Sequence, residues 1–353
     1  MTSSLSKSDL SSMSQDTKVK WLFSYKISHE DLQKNLQLIR SMGLPLQTSD
    51  FLELSCEESL DNWYSPKISD IQSNASEASI NTSIIVPFQD NYDEVLQTLP
   101  LLIQSLKDEA STEIIVANDS FSLEQENRIL EILKSDARYF TYLKIERSKP
   151  RVKGDAQFRA GVVRNLAAYL AQGQELIFLD SDIIVGKNLW TAIHTARKTH
   201  NGALMPRRHF LRSDIENSSL SYELIQKGCH TQLSWGGHWE DFYRNSHVPD
   251  SWKWTSTYCL ALPRALFDEV GGFGRAFSSY GFEDTDLGYR LLRHGQSLQV
   301  LNQDVFHLPF PASRSEYASH FEERKKLLKK SFGAFLRSSM NPDLLSQFRH
   351  ILN

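Results

Sequence analysis

RAGVVRNLAAYLAQGQELIFLDSDIIV, residues 159–185, is the stretch that decides the fold. Val162, Val163, Leu166, Ala167 and Leu170 recur at helical spacing, so residues 156–172 read as a helix capped by Gly173. LIFL (176–179) then reads as a short buried strand, with Asp180 and Asp182 directly after it. Helix, apolar strand and polar loop, in that order, form half of a βαβ unit.

The alternation extends upstream. SIIVP (83–87), EIIVA (113–117) and YFTYLKI (139–145) read as further strands. Between the first two, Val95, Leu96, Leu99, Leu102, Ile103 and Leu106 keep helical spacing, and Pro100 is expected to kink or split that helix. Residues 122–134 read as the next helix. The expectation is an α/β fold with a mainly parallel central sheet flanked by helices. Ligands of such sheets bind beyond the carboxyl ends of the strands. The loops there read Pro87-Phe88-Gln89-Asp90, Asn118-Asp119-Ser120 and Asp180-Ser181-Asp182.

Outside this alternation the pattern is plainer. Residues 1–17 read as a polar, disordered tail, because they hold too little apolar surface to offset ordering entropy. Residues 18–80 read as a helical extension (30–42 and about 49–63) ending in a Ser/Asn-rich linker, 65–80. Residues 81–312 read as one catalytic domain, and 313–353 as C-terminal helices, with Asn341-Pro342 starting the last. The cationic run of Arg324, Lys325, Lys326, Lys329 and Lys330 reads as a solvated helix face, with peripheral contact to an anionic membrane as the sharper alternative.

Composition limits the function classes. The 353 residues are 40% hydrophobic and 23% charged, ordinary for a globular protein. A formal net charge of −4 argues against bulk binding of nucleic acid. Cys56, Cys229 and Cys259 are too few and too far apart for a disulfide framework. The N-terminus lacks the apolar run of a secretory signal, and no run of 18 apolar residues exists to span a membrane. A soluble cytoplasmic protein is the expectation.

The candidate chemistry lies in the loops. Alternate residues of a strand share a face, so Asp180 and Asp182 are expected to point at one site. Paired carboxylates suit a hard divalent cation shared with phosphate oxygens, while a solvated turn is the plainer alternative. Asp119 can cap a helix or accept from a base or ribose. Arg159 and Arg164, about 140° apart on an ideal helix, offer a cation to a diphosphate. In GGFGRAFSSYGFEDTDLGYRLLRHG (271–295), Glu283 and Asp284 stand at a helix start, where Asp284 is placed to act as a general base or simply to favour the helix dipole. His307 ends a strand-like run and is a candidate metal ligand. The aromatic region 229–258 offers Trp235, His238 and Trp254, joined by Tyr280 and Phe282, as an acceptor platform or a core cluster.

Taken in order, SIIVPFQDN (83–91), EIIVANDS (113–120), residues 159–185 and CLALPRALFDEVGGFGRAFSSYGFEDTDLGYRLLRHG (259–295) resemble the GT-A glycosyltransferases, most closely family-2-like enzymes. The last piece is similar to the block that ends in E-D in chondroitin-polymerase-type and β-1,4-galactosyltransferase domains. The resemblance covers about residues 80–312. It implies the Rossmann-like GT-A fold, a UDP-sugar donor, Mn²⁺ or Mg²⁺, and inverting transfer to an acceptor hydroxyl of a glycan or other acceptor. It implies further that Asp119 reads uracil and that Pro87, Phe88, Gln89 and Asp90 lie beside the base. Asp180, Ser181 and Asp182 then form the D-x-D element, with Asp182 and His307 on the metal and Asp180 on ribose or metal-bound water. Asp284 becomes the catalytic base and Glu283 the partner that orients the acceptor. The sequence departs from the pattern at Gln89, where a tyrosine is usual, at Asn118, where an aspartate is common, and at Tyr280-Gly281-Phe282, where a tryptophan is displaced. A retaining transferase and a non-catalytic nucleotide-sugar or glycan-binding module stay open as alternatives.

Overall fold

The computed structural model describes residues 67–75, 79–120, 125–146, 158, 160–211, 221, 225, 230–231, 255–273 and 283–308. The expected tail, the N-terminal helices and the C-terminal helices lie outside the described residues.

The apolar runs become the centre of the sheet. Strands β2 (Thr82–Phe88) and β3 (Thr112–Asn118) are buried at every position, and β5 (Glu175–Leu179) at all but its first. β-branched residues covered on both faces are what a parallel sheet between helical layers requires. Ile84, Ile85, Ile115 and Val116 have 4% exposure or less, and each such side chain contributes about 1.5–3 kcal/mol through burial. With β4 (Phe140–Glu146) these strands form a parallel block in the spatial order β4-β3-β2-β5.

The helices between them are α1 (Tyr92–Ser105), α2 (Glu126–Asp136) and α3 (Ala160–Leu170). Right-handed crossovers put α1 and α2 on one face of the sheet and α3 on the other. Pro100 does not split α1, contrary to expectation. It lies on the exposed side, while Val95, Leu99 and Leu102 hold the buried side to the core. Gly173 is also not the left-handed helix cap that its position predicts, since it has no positive φ. A Cβ there would lie 2.5 Å from the Ser83 nitrogen, so glycine is needed for close approach to β2. The end of α3 is held instead by Arg264, whose Nε and Nη1 donate to the carbonyls of Gly173 (2.6 Å) and Ala168 (2.9 Å).

The sheet continues past β5 through strands that alternation alone leaves unread. β1 (Lys67–Ser73) pairs antiparallel with β4 at one edge, which corrects the reading of 65–80 as a linker. An edge strand is half-solvated and tolerates a polar sequence such as KISDIQS. On the other side come β9 (Cys259–Pro263), β7 (Ala203–Leu211), β10 (Leu298–His307) and the two-residue β6 (Ile183–Ile184), with β8 (His230–Thr231) on β7. Helices α4 (Asn188–Arg197), α5 (Arg264–Glu269) and α6 (Glu283–Arg293) complete the described elements. The chain runs from β2 towards β4 on one side and places β5 on the other, so the loops after β2 and β5 part. That topological switch point is where open α/β sheets bind ligands.

Candidate active site

The loops beyond β2, β3 and β5 are tied together. The Asp119 N–H donates to the Phe88 carbonyl at 2.9 Å, and the Asp90 N–H to Ser120 Oγ at 2.7 Å. Asn91 Nδ2 donates to Ser181 Oγ at 2.7 Å, and Thr98 Oγ1 to the Ser181 carbonyl at 2.6 Å. Asp90 is exposed and held at φ 54°, a left-handed conformation that aspartate tolerates better than most residues. Pro87 and Phe88, expected beside the base, end the strand that leads into this loop. Both are buried, and Phe88 packs edge-on against Tyr92 with ring centroids 5.2 Å apart. Asp119 is fully buried below the loop, and Gln89 is partly exposed.

Asn118 has a physical reason to be an amide. Its Nδ2 donates to the Tyr142 (2.7 Å) and Tyr92 (3.2 Å) hydroxyls, and the Tyr142 hydroxyl in turn donates to Glu126 Oε1 at 2.7 Å. An aspartate at 118 would remove the donor that this chain of bonds needs. Burial, the largest effect, pushes both tyrosine hydroxyls above the ordinary range.

At the opposite side of the crevice, Arg164 of α3 is fully buried and engages two carboxylates. Its Nη2 donates to Asp180 Oδ1 at 2.6 Å and its Nη1 to Glu283 Oε1 at 3.2 Å. Burial opposes the guanidinium charge, but Asp180 and Glu283 together hold it above its ordinary value. Arg164 is therefore not placed to meet a diphosphate; it clamps α3, the end of β5 and the start of α6 together. Gly161 allows the approach, since a Cβ there would lie 3.2 Å from Phe273 Cβ and 3.5 Å from Glu283 Cβ. Asn165 fixes the segment before α6 by exchanging two 2.9 Å bonds with the Phe273 backbone. Gly271 and Gly272 reach that geometry at φ 82° and 66°.

Asp284 stands beside this clamp with some remaining exposure. Burial pushes its carboxyl up to about 7, and the Glu283 carboxylate adds to the rise. The Thr285 N–H, which donates to Asp284 Oδ1 at 2.7 Å, and Arg164 oppose it. Asp286 points elsewhere and pairs with Arg290 at 2.6 Å one helical turn on.

Asp180 and Asp182 do not share a face. β5 ends at Leu179, and the Ile183 N–H bonds back to the Asp180 carbonyl at 3.2 Å, so the D-x-D residues form a turn and strand alternation no longer applies. Asp180 faces Arg164, while Asp182 Oδ2 lies 3.3 Å from His307 Nε2. His307 pairs with Ile183 across β10 and β6. Its Nδ1 is 2.5 Å from the Leu308 carbonyl, which only accepts, so that nitrogen carries the hydrogen. In a neutral ring Nε2 then presents a lone pair towards a carboxylate, an arrangement that a proton or a divalent cation between them relieves. The pair fits an imidazole-and-carboxylate metal site. Asp180 does not complete it in this geometry, and no group of three metal-ligating side chains is gathered among the described residues.

Comparison with known proteins places these features. Residues 235–309 match the family described as the N-terminal domain of galactosyltransferase. A validoxylamine A glucosyltransferase of Streptomyces hygroscopicus subsp. jinggangensis is 38% identical over 73 residues, 21% of this chain and 17% of that protein. An N-acetylglucosaminyl-diphospho-decaprenol L-rhamnosyltransferase of Mycobacterium tuberculosis is 34% identical over 110 residues, 29% of this chain and 36% of that protein. The chain thus matches under two fifths of the length of either relative. In structure it superposes on S. aureus TarS with a TM-score of 0.51 at 15% identity, covering 77% of this chain and 70% of that one. The fold is that of the GT-A glycosyltransferases.

Within the GT-A frame, the E-D pair and His307 both fall inside the matched span 235–309. Arg159, Trp235, His238, Trp254, Tyr280 and Phe282 lie outside the described residues. Local sequence carries no sign of the Arg164 clamp or of the roles of Asn91 and Thr98, because their partners lie 119, 90 and 83 residues away. No helix among the described residues is long and apolar enough to cross a membrane.

Proposed function

We propose that the chain is a metal-dependent, inverting glycosyltransferase that moves a sugar from a UDP-sugar to an acceptor hydroxyl. The observation that carries this reading is the Arg164 clamp. It holds Glu283 and Asp180 on one guanidinium and so sets Asp284, a carboxylate titrating near 7, against the D-x-D turn. A base poised near neutrality suits proton removal from a sugar hydroxyl. Asp284 takes that proton as the hydroxyl oxygen attacks the anomeric carbon, and the bond from that carbon to the diphosphate oxygen breaks on the far face. Attack opposite the leaving group inverts the centre. Glu283, bonded to Arg164, orients the acceptor side of the loop.

Asp182 and His307 would hold Mn²⁺ or Mg²⁺. When bound, that ion supplies charge to the leaving diphosphate. Asp90, Gln89 and Asp119 define the nucleotide side. The aromatic residues Trp235, Trp254, Tyr280 and Phe282, with His238, are assigned to the acceptor, and residues 81–312 to one catalytic unit. Similarity to glucosyl- and rhamnosyltransferases supports a hexosyl group, and the S. aureus TarS structure, described in complex with UDP-GlcNAc, supports a uridine donor.

A thermal-shift panel of nucleotide sugars, with and without Mn²⁺, tests the donor, since a ligand bound only by the native state raises its melting temperature. A UDP-sugar that stabilises only with metal is expected, and indifference to every nucleotide sugar would sink the reading. The anomeric configuration of the product tests inversion.

A further inference from the structure

Among the described residues the site carries four carboxylates, Asp180, Asp182, Glu283 and Asp284, and Arg164 is bonded to two of them. A nucleoside diphosphate entering this site adds more negative charge, which a cationic side chain beside the bound metal would help to offset. Arg159 aside, sequence reading offers none.

Strand β7 supplies one. Its Arg207 and Arg208 point to opposite faces, as strand alternation requires. Arg207 is answered by Asp304, with Nε donating at 2.8 Å, and His209 on the same face reaches that carboxylate at 3.0 Å. Arg208 has no such partner: among the described residues, no carboxylate lies within ion-pair distance of it. Its guanidinium packs over two rings instead, 4.6 Å from the centroid of Tyr258 and 5.0 Å from that of Phe210. Both rings belong to the site's own framework. The Tyr258 carbonyl accepts from the Asp180 N–H at 3.1 Å, and its hydroxyl donates to the Pro206 carbonyl at 2.5 Å. Phe210 stacks on His307 with centroids 4.9 Å apart. Ring faces fix a guanidinium plane while leaving its N–H donors at the edge for a bidentate anion. Arg208 is partly exposed, so those donors remain accessible.

We propose that Arg208 is the residue that binds the diphosphate of the nucleotide donor. It takes the place that Arg164 vacates by turning inward. The inference rests on the donor being a nucleoside diphosphate sugar. The guanidinium is held against Tyr258, whose carbonyl accepts from the Asp180 N–H, and against Phe210, which stacks on His307, and its charge would offset that of the phosphate oxygens in the ground state and as the glycosyl bond breaks.

The test compares UDP with uridine by calorimetry in Mn²⁺, on the full chain and on Arg208→Gln and Arg208→Lys. Wild type is expected to bind UDP more tightly than uridine. Arg208→Gln should weaken UDP about tenfold or more, the size of a lost charge-assisted pair, and leave uridine within about twofold. Arg208→Lys should fall between, since a point charge replaces a fork. UDP affinity unchanged in Arg208→Gln overturns the proposal. So does loss of uridine binding in both variants, which would make Arg208 a support of the fold. A wild-type chain that does not distinguish UDP from uridine overturns the donor reading itself, a result separate from either.

Discussion

Arg164 and Asp180 meet at 2.6 Å, a buried guanidinium on a partly exposed carboxylate, and this contact joins the helix before β5 to the turn after it. Because Arg164 also holds Glu283, the turn after β5 and the start of α6 share one buried cation.

Removing that cation should be costly. Arg164→Met leaves two carboxylates facing each other, one of them 2% exposed. Breaking a buried pair from one side costs about 3–5 kcal/mol. Urea unfolding should show that loss, and Arg164→Lys should recover only part of it, since one ammonium cannot span both partners. Stability equal to wild type in Arg164→Met would contradict a clamp.

Asp284 should govern the pH profile. With a carboxyl raised to about 7, the basic form required for proton removal is lost as pH falls below neutrality. Transfer should decline about tenfold per pH unit below that point. The effect on stability has the opposite sense. The folded state binds this proton more tightly than the unfolded chain, so stability should fall as pH rises from about 4 to 7. Asp284→Asn should therefore lose about 100- to 10,000-fold in rate, yet melt higher than wild type at pH 8. Melting curves at pH 5 and pH 8 separate the two effects.

Asp182 and His307 should act as one unit. Asp182→Asn or His307→Gln is expected to weaken Mn²⁺-dependent UDP binding by about 10- to 100-fold, and the double variant little further, because both remove the same ion. Thermal shifts with UDP, recorded with Mn²⁺ and with chelator, report this. Additive losses would show that the two residues act separately.

Gly173 should be intolerant for a purely steric reason. An alanine Cβ would lie 2.5 Å from the Ser83 nitrogen, a backbone atom of the buried strand β2. Gly173→Ala should cost about 1–3 kcal/mol in denaturant unfolding, with the activity per folded molecule unchanged.

The parallel block was legible because its strands are continuous apolar runs, and such runs have one stable home, between two helical layers. The edge strand β1 was not, because a strand with one paired side tolerates polar residues and reads as a linker. The expectation that Asp180 and Asp182 share a face failed because it carried strand alternation past Leu179, the end of β5, into a turn.

Sequence alone was enough to place Asp119 and Asp180 directly after buried strands, to start a helix at Glu283 and to end a strand at His307, since residue type and local spacing specify elements and their ends. Which of the site's carboxylates meets a cation, which meets an imidazole and which is left to titrate near 7 was decided by the tertiary structure. Arg164 reaches Glu283 across 119 residues of chain, and Asp182 and His307 come together only where β6 and β10 pair. Charge and hydrogen bonding depend on distance in space and on burial, and folding sets both.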